Sequence, residues 1–180
     1  MTWSSTLASP LAAVAIPWAA RWVASRRRAH RPGASPIGPA ERSALEPHFA
    51  GEVLDRARVR RVPAIEPPSL LSALGRLGLD LPLTGGRIQG IAFDDTILLL
   101  ERIPPRANLP LLFHELVHVA QYRLLGIRGF VERYVRGWIE NGGRYRDIPL
   151  ERIAYELQRR FVEDPAIPIA VDQAVADPPQ

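Results

Sequence analysis

The residues best equipped for chemistry are His114-Glu115-Leu116-Val117-His118. On a helix, positions i and i+4 lie one turn apart on the same face, so the two imidazoles can reach a single metal ion at about 2.0–2.1 Å each. Glu115 is turned about 100° from His114. That sets it beside the metal instead of on it, where a carboxylate can act as general base toward water that the metal activates. Two of the four histidines of the chain fall in this motif. The other two, His30 and His48, have no partner pattern and read as surface residues.

A pair of histidines needs a third ligand. The chain has no cysteine, which excludes thiolate ligands and disulfides alike. No histidine follows His118, and the Gly and His of a longer HExxHxxGxxH pattern are missing, so a downstream carboxylate must complete the site. The candidates are Glu132, Glu140, Asp147, Glu151 and Glu156. Glu151 is the preferred one. It opens the helical stretch Pro149-Leu-Glu-Arg-Ile-Ala-Tyr155, and the small Ala154, three residues on, shares its face and allows close approach to the HExxH helix. Glu156 lies about 140° away around the same helix, so the two cannot both face one metal. A blander role for Glu151 is that of a first-turn carboxylate complementing the helix dipole. The expected centre is Zn2+ held by His114, His118 and Glu151, with Glu115 catalytic. Tyr122, Tyr145, Tyr155 and Arg144 are the candidates to stabilise an oxyanion, and the sequence does not choose among them. Tyr155 reads more naturally as core, and Asp147 is the candidate partner for the outer N–H of a metal-bound histidine.

The elements that must position these residues follow from periodicity and breakers. Asn108 can cap a helix that tolerates Pro110 in its first turn, runs to Leu125 and stops at Gly126. Phe113, Leu116, Val117, Ala120 and Leu124 form its core arc, leaving Glu115, His118, Gln121 and Tyr122 toward a cleft. A second helix spans about 128–140, with Phe130, Tyr134 and Trp138 as a core stripe. The third starts near Pro149, capped by Asp147 or Ile148, and ends before Asp164. Upstream, 41–57 has helical period with a break at Pro47, 58–62 is β-prone, and Ser69 can cap a short helix over 70–77. Gly86–Phe93 and Thr96–Glu101 read as a hairpin across Asp94-Asp95, a better account of that acidic pair than a metal site. The predicted class is α+β: a small sheet packed against the HExxH helix and two further helices.

The chain of 180 residues divides into an N-terminal segment with a Pro/Gly linker (1–40), a catalytic domain (41–164) and a loose tail (165–180). Its first 20 residues carry no charge and are followed by an arginine cluster. A cleaved signal peptide fits poorly, because its basic residues should come first. A membrane span is marginal in length and diluted by Pro10 and Pro17. An amphipathic helix with Leu7, Leu11, Val14, Trp18 and Trp22 on one face fits better, lying on a membrane or on the domain itself. If the segment did span, the arginines after it would keep the domain on the cytoplasmic side; as an amphipathic helix it offers membrane contact through residues 1–30. All 23 basic residues are arginine and the net charge is only +4. These arginines are dispersed, so a nucleic-acid partner is not expected.

Over about residues 86–160 the chain resembles the gluzincin zinc metallopeptidases, in which HExxH on one helix is completed by a Glu on a later helix, often within ExxA; Glu151-Arg-Ile-Ala154 matches that context. His114-Glu-Leu-Val-His-Val-Ala-Gln121 also resembles the His-Glu-Leu-x-His-x-x-Gln signature of small bacterial HExxH domains, including those associated with contractile injection systems. The resemblance implies a metallopeptidase with a peptide or protein substrate. It also implies that Thr96–Glu101 is the edge strand along which an extended peptide lies. The competing function is a non-catalytic, zinc-stabilised domain that tethers a partner or membrane through its N-terminal segment.

Overall fold

The computed structural model describes residues 5–66 and 88–177. The helix expected over 70–77 lies outside these residues. In chain order the elements are α1 (Ser5–His30), α2 (Pro39–Leu45), α3 (Gly51–Arg56), β1 (Arg58–Val62), β2 (Gly90–Phe93), β3 (Thr96–Leu100), α4 (Pro105–Glu140), α5 (Pro149–Glu163) and α6 (Val171–Ala176). The architecture is α+β, as expected: a three-stranded mixed sheet packed against the long α4, with the other helices around it.

The strand order is β1-β3-β2. β3 pairs parallel to β1 and antiparallel to β2, the latter across the expected Asp94-Asp95 turn. β3 is the near-continuous apolar run Thr-Ile-Leu-Leu-Leu, buried from Thr96 to Leu99, which suits a strand covered on both faces. Thr96–Glu101 therefore contains the central strand, not the edge expected from the resemblance; among the described residues β2 and β1 are the edges. β1 carries Arg58, Arg60 and Arg61, charges that discourage pairing with another chain.

Every residue of α4 from Leu112 to Tyr122 is buried. A helix apolar or buried on all sides is the centre of its domain, and here it is the element on which α1, the sheet, α5 and α6 converge. Leu124, expected in the core arc, is instead half exposed. The helical path is interrupted at Gly126, whose φ of 66° and ψ of 167° suit glycine alone. The predicted stop at Gly126 is thus a break within one long element, and the stretch beyond it turns Phe130 and Tyr134 back toward the site. Asn108 does not cap the helix. It sits in the first turn, and its side chain bonds Glu41 and Arg61.

The N-terminal segment is a helix packed on the domain, along α4 and β2. Its buried face is Ala12, Ile16 and Val23, whereas Val14 is 74% and Trp18 38% exposed. Of the expected stripe, Trp22 packs edge-on against Phe93, Val14 and Trp18 face outward, and the side chains of Leu7 and Leu11 lie outside the described residues. Among the described residues no helix is long and apolar enough to cross a membrane. Arg27 grips Asp95 through two hydrogen bonds of 2.8 and 2.6 Å, Arg31 adds a contact of 2.9 Å to Asp95, and Arg56 reaches Asp94 at 3.0 Å. The acidic turn is therefore an anchor for α1 and α3. Its first residue, Asp94, sits at φ 58°, a left-handed position that Asp tolerates better than most residues. The linker is part of the fold as well: Ser35 bridges to Val59 of β1, and Ile37 is buried.

From Ile169 to Val175 the tail expected to be loose is docked on the domain. Ile169, Val171 and Val175 are buried, Asp172 accepts the backbone N–H of Ala50, and the N–H of Ile169 donates to His48 Nδ1. His48 is correspondingly a core histidine, edge-on to Phe113 and Phe161, and burial lowers its pKa. His30 is half-buried. Nothing local in the sequence signals these contacts, which link residues more than a hundred positions apart. Ile169→Ala should cost about 2–4 kcal/mol in urea denaturation, while Leu124→Ala should fall within about 0.5 kcal/mol of wild type. Equal effects of the two would mean that the tail is not docked.

Candidate metal centre

α4 places His114 and His118 one turn apart, and α5 brings Glu151 to meet them. The two Nε2 atoms are 3.1 Å apart; Glu151 Oε2 lies 3.4 Å from His114 Nε2 and Oε1 lies 3.5 Å from His118 Nε2. Donors bound to one tetrahedral ion at about 2.0–2.2 Å would be about 3.3–3.5 Å apart. The spacing therefore fits a metal ion, and all three residues are buried. Two buried polar atoms, His114 Nδ1 and Glu151 Oε2, have no hydrogen-bond partner in the protein. A metal at the convergence point would satisfy the carboxylate oxygen.

Of the five downstream carboxylates, only Glu151 reaches the histidines. Glu156 is exposed and paired with Arg159, Glu132 pairs with Arg136, Asp147 pairs with Arg144, and Glu140 is exposed. Ile148 is the N-cap of α5, and Ala154 is fully buried, as a close helix contact requires. A further glycine matters to the same contact. A Cβ on Gly137 would come within 2.6 Å of Pro149 Cδ, so only glycine lets the second half of α4 pass the start of α5.

The supporting residues were not foreseen. Gln121 Oε1 accepts from His118 Nδ1 at 2.8 Å, and its amide nitrogen donates to the Leu150 carbonyl at 3.0 Å. Since Oε1 can only accept, His118 carries its proton on Nδ1 and presents Nε2 to the metal position. One side chain thus fixes a tautomer and ties α4 to the residue before Glu151. Asp147, proposed for such a role, is turned away. Tyr134 donates to Glu151 Oε1 at 3.0 Å. The stripe Phe130, Tyr134 and Trp138 is therefore the wall of the site and not ordinary core. Its four-residue spacing was visible; that it faced a carboxylate depended on the break at Gly126.

Glu115 points to the sheet side, close to Gly90 of β2, and accepts the backbone N–H of Ala92. A Cβ on Gly90 would lie 2.7 Å from Glu115 Oε1 and 3.0 Å from Leu99. Glycine inside a strand often marks such an approach. Burial raises the pKa of Glu115 above the ordinary carboxylate value, against the opposing pull of His114 and His118. For Glu151 burial acts in the same upward direction, but the two histidines outweigh it and hold the carboxyl well below the usual range. For His118 burial opposes the charge, yet Glu151 prevails and its pKa is pushed up to about 9.

Tyr122, Tyr145 and Tyr155 line the cavity beside these residues, whereas Arg144 is exposed and occupied by Asp147. Tyr155 is half-buried, with its ring 4.7 Å from that of His114 and Arg146 stacked over it, so it belongs to the site and not to the core. Burial, then the charge of Glu151, push the phenols of Tyr145 and Tyr155 upward, which keeps both as protonated donors.

Comparison of the chain with protein-family models, with curated proteins and with solved structures returned no match, so the functional reading rests on the site itself.

Metal binding should follow this geometry. Zn2+ titrated in competition with a chelator should bind wild type and Glu156→Ala at about one ion per chain, and Glu151→Ala far more weakly. Gln121→Ala should weaken affinity about 10–100-fold. Because a proton on His118 competes with the metal, affinity should rise by about tenfold per pH unit as pH increases toward about 9 and then level off. A Gln121 variant with undiminished affinity would remove the supporting role assigned to it.

Proposed function

We propose that the protein is a zinc-dependent metallopeptidase of the gluzincin type, with His114, His118 and Glu151 holding the metal and Glu115 as general base. The observation that carries this reading is the placement of Glu115. It is buried beside three converging ligand groups and is not one of them. A site that only had to hold a structural ion would have no use for a second buried acid whose pKa is raised.

When bound, zinc supplies Lewis acidity, acidifying a water and polarising the carbonyl it faces. The chain supplies the rest. Glu115 takes a proton from the attacking water and returns it to the leaving nitrogen; burial moves its proton affinity in the direction this exchange requires. The Ala92 N–H holds its carboxylate in place. Tyr145 and Tyr155, both kept protonated, are the candidates to donate to the oxyanion. Tyr134 and Gln121 fix the ligands. An extended substrate would lie along the outer edge of β2, the strand that carries Gly90 and Ala92 next to Glu115.

The alternative, a non-catalytic domain tethered through residues 1–30, has less support, because α1 is packed along α4 and β2 over the same cleft.

Glu115→Gln should reduce hydrolysis of a broad peptide library by about 10²–10⁴-fold while the protein still binds one zinc. Gly90→Ala should lower kcat as well, by displacing Glu115, with little change in metal content. Zinc-loaded wild type that cleaves nothing in such a library would count against the enzyme.

A further inference from the structure

A cavity of ≈ 640 Å³ adjoins the metal centre. Ligand sites are commonly of about 300–1,000 Å³, so it is of a size to hold several side chains of a substrate. One wall is α1, through Ala15, Trp18, Ala19 and Trp22; the facing wall is the second half of α4, through Val131 and Trp138. The apolar character continues out of the mouth, since Trp18 and its neighbour one turn back, Val14, are exposed.

No Arg or Asp lines this cavity among the described residues. The acids that do, Glu115 and Glu151, are committed to the Ala92 N–H and to the two histidines. Apart from the metal itself, the described residues then offer no counter-ion for the terminal carboxylate or the terminal ammonium of a peptide, and a charged side chain would be buried unpaired. Besides His114 Nδ1 and Glu151 Oε2 of the metal centre, one buried polar group at the cavity is left over. The indole N–H of Trp22 is buried without a hydrogen-bond partner. A hydrocarbon chain would leave it so; a backbone carbonyl would satisfy it.

We propose that this cavity takes an uncharged, apolar stretch from the interior of a polypeptide, and that Trp18 and Trp22 of α1 select it. The inference rests on the metallopeptidase reading for the reaction, and it assigns that reaction to internal bonds flanked by apolar residues. Specificity would then reside in the N-terminal helix, outside the HExxH region.

Binding can be read separately from turnover. Zinc-loaded Glu115→Gln protein would be titrated calorimetrically with acetyl-Gly-Gly-Leu-Phe-Gly-Gly-amide, with the same peptide carrying Asp-Lys at the centre, with unblocked Leu-Phe, and with octyl glucoside. The blocked apolar peptide should bind about tenfold or more tighter than the charged peptide and the free dipeptide. Trp18→Ala and Trp22→Phe, each introduced into that protein, should weaken it several-fold at an unchanged denaturation midpoint. Equal or tighter binding of the charged peptide or the free dipeptide would overturn the proposal. So would binding of octyl glucoside in preference to the peptide, which would point to an acyl chain instead. Cleavage by wild type without apolar preference would sink this inference and leave the peptidase reading standing. Selective binding of the apolar peptide without any hydrolysis by wild type would do the reverse.

Discussion

A carboxylate has been taken out of water and set between two imidazoles, and most of the fold serves that arrangement. An isolated buried charge costs several kcal/mol, so Glu151 is tolerable only where partners converge on it. His114 and His118 supply two of them, Tyr134 a third. To bring these groups together, α4 must be buried on every side, break at Gly126, and meet α5 closely enough for Ala154 and Gly137 to be the residues at the contact. Gln121 then joins the two helices by hydrogen bonds from one amide. Loss of any of these leaves a buried polar group unsatisfied, which is why the centre and the core are hard to separate.

The same economy appears on the sheet side. β2 contributes no ligand, yet it presses Gly90 against Glu115 and offers it the Ala92 N–H. Acid and strand are therefore positioned by each other. The site is divided into a His-His-Glu half, held by α4 and α5, and a Glu115 half, held by α4 and β2, with His114 and Glu115 adjacent in sequence but committed to different neighbours.

Much of this was legible in the sequence because it depends on local periodicity. HExxH needs only helical spacing; helical phase showed that Glu151 and Glu156 cannot both face one metal, and the nearby Ala154 favoured Glu151. The hairpin, the interruption near Pro47 and the stop at Gly126 follow from breakers and turn residues. What escaped was set by contacts distant in the chain. Whether Thr96–Leu100 is central or edge depends on β1, which pairs with it from 38 positions upstream (Arg58 with Thr96). Docking of Ile169 depends on His48, and Tyr134 joins the site only because the chain bends eight residues earlier. On α1 the expected stripe holds at Trp22 and fails at Val14 and Trp18, because the buried face runs through Ala12, Ile16 and Val23. The bulk of Trp18 was instead left for the cleft.

The ionic cluster at the β2–β3 turn gives α1 an asymmetric mounting. Arg27 and Arg31 fasten the C-terminal end of the helix to Asp94 and Asp95, and no comparable ion pair holds it near Val14 among the described residues. Nine residues of helix, about 14 Å, separate Arg27 from Trp18. The helix is in effect a beam bolted by charge at one end and held at the other only by the apolar packing of Ala12 and Ile16, with its tryptophans between. A tilt of about 5° at the anchor would displace Trp18 by about 1 Å over that length. The width of the apolar cleft is thus set at a salt bridge remote from the metal ligands.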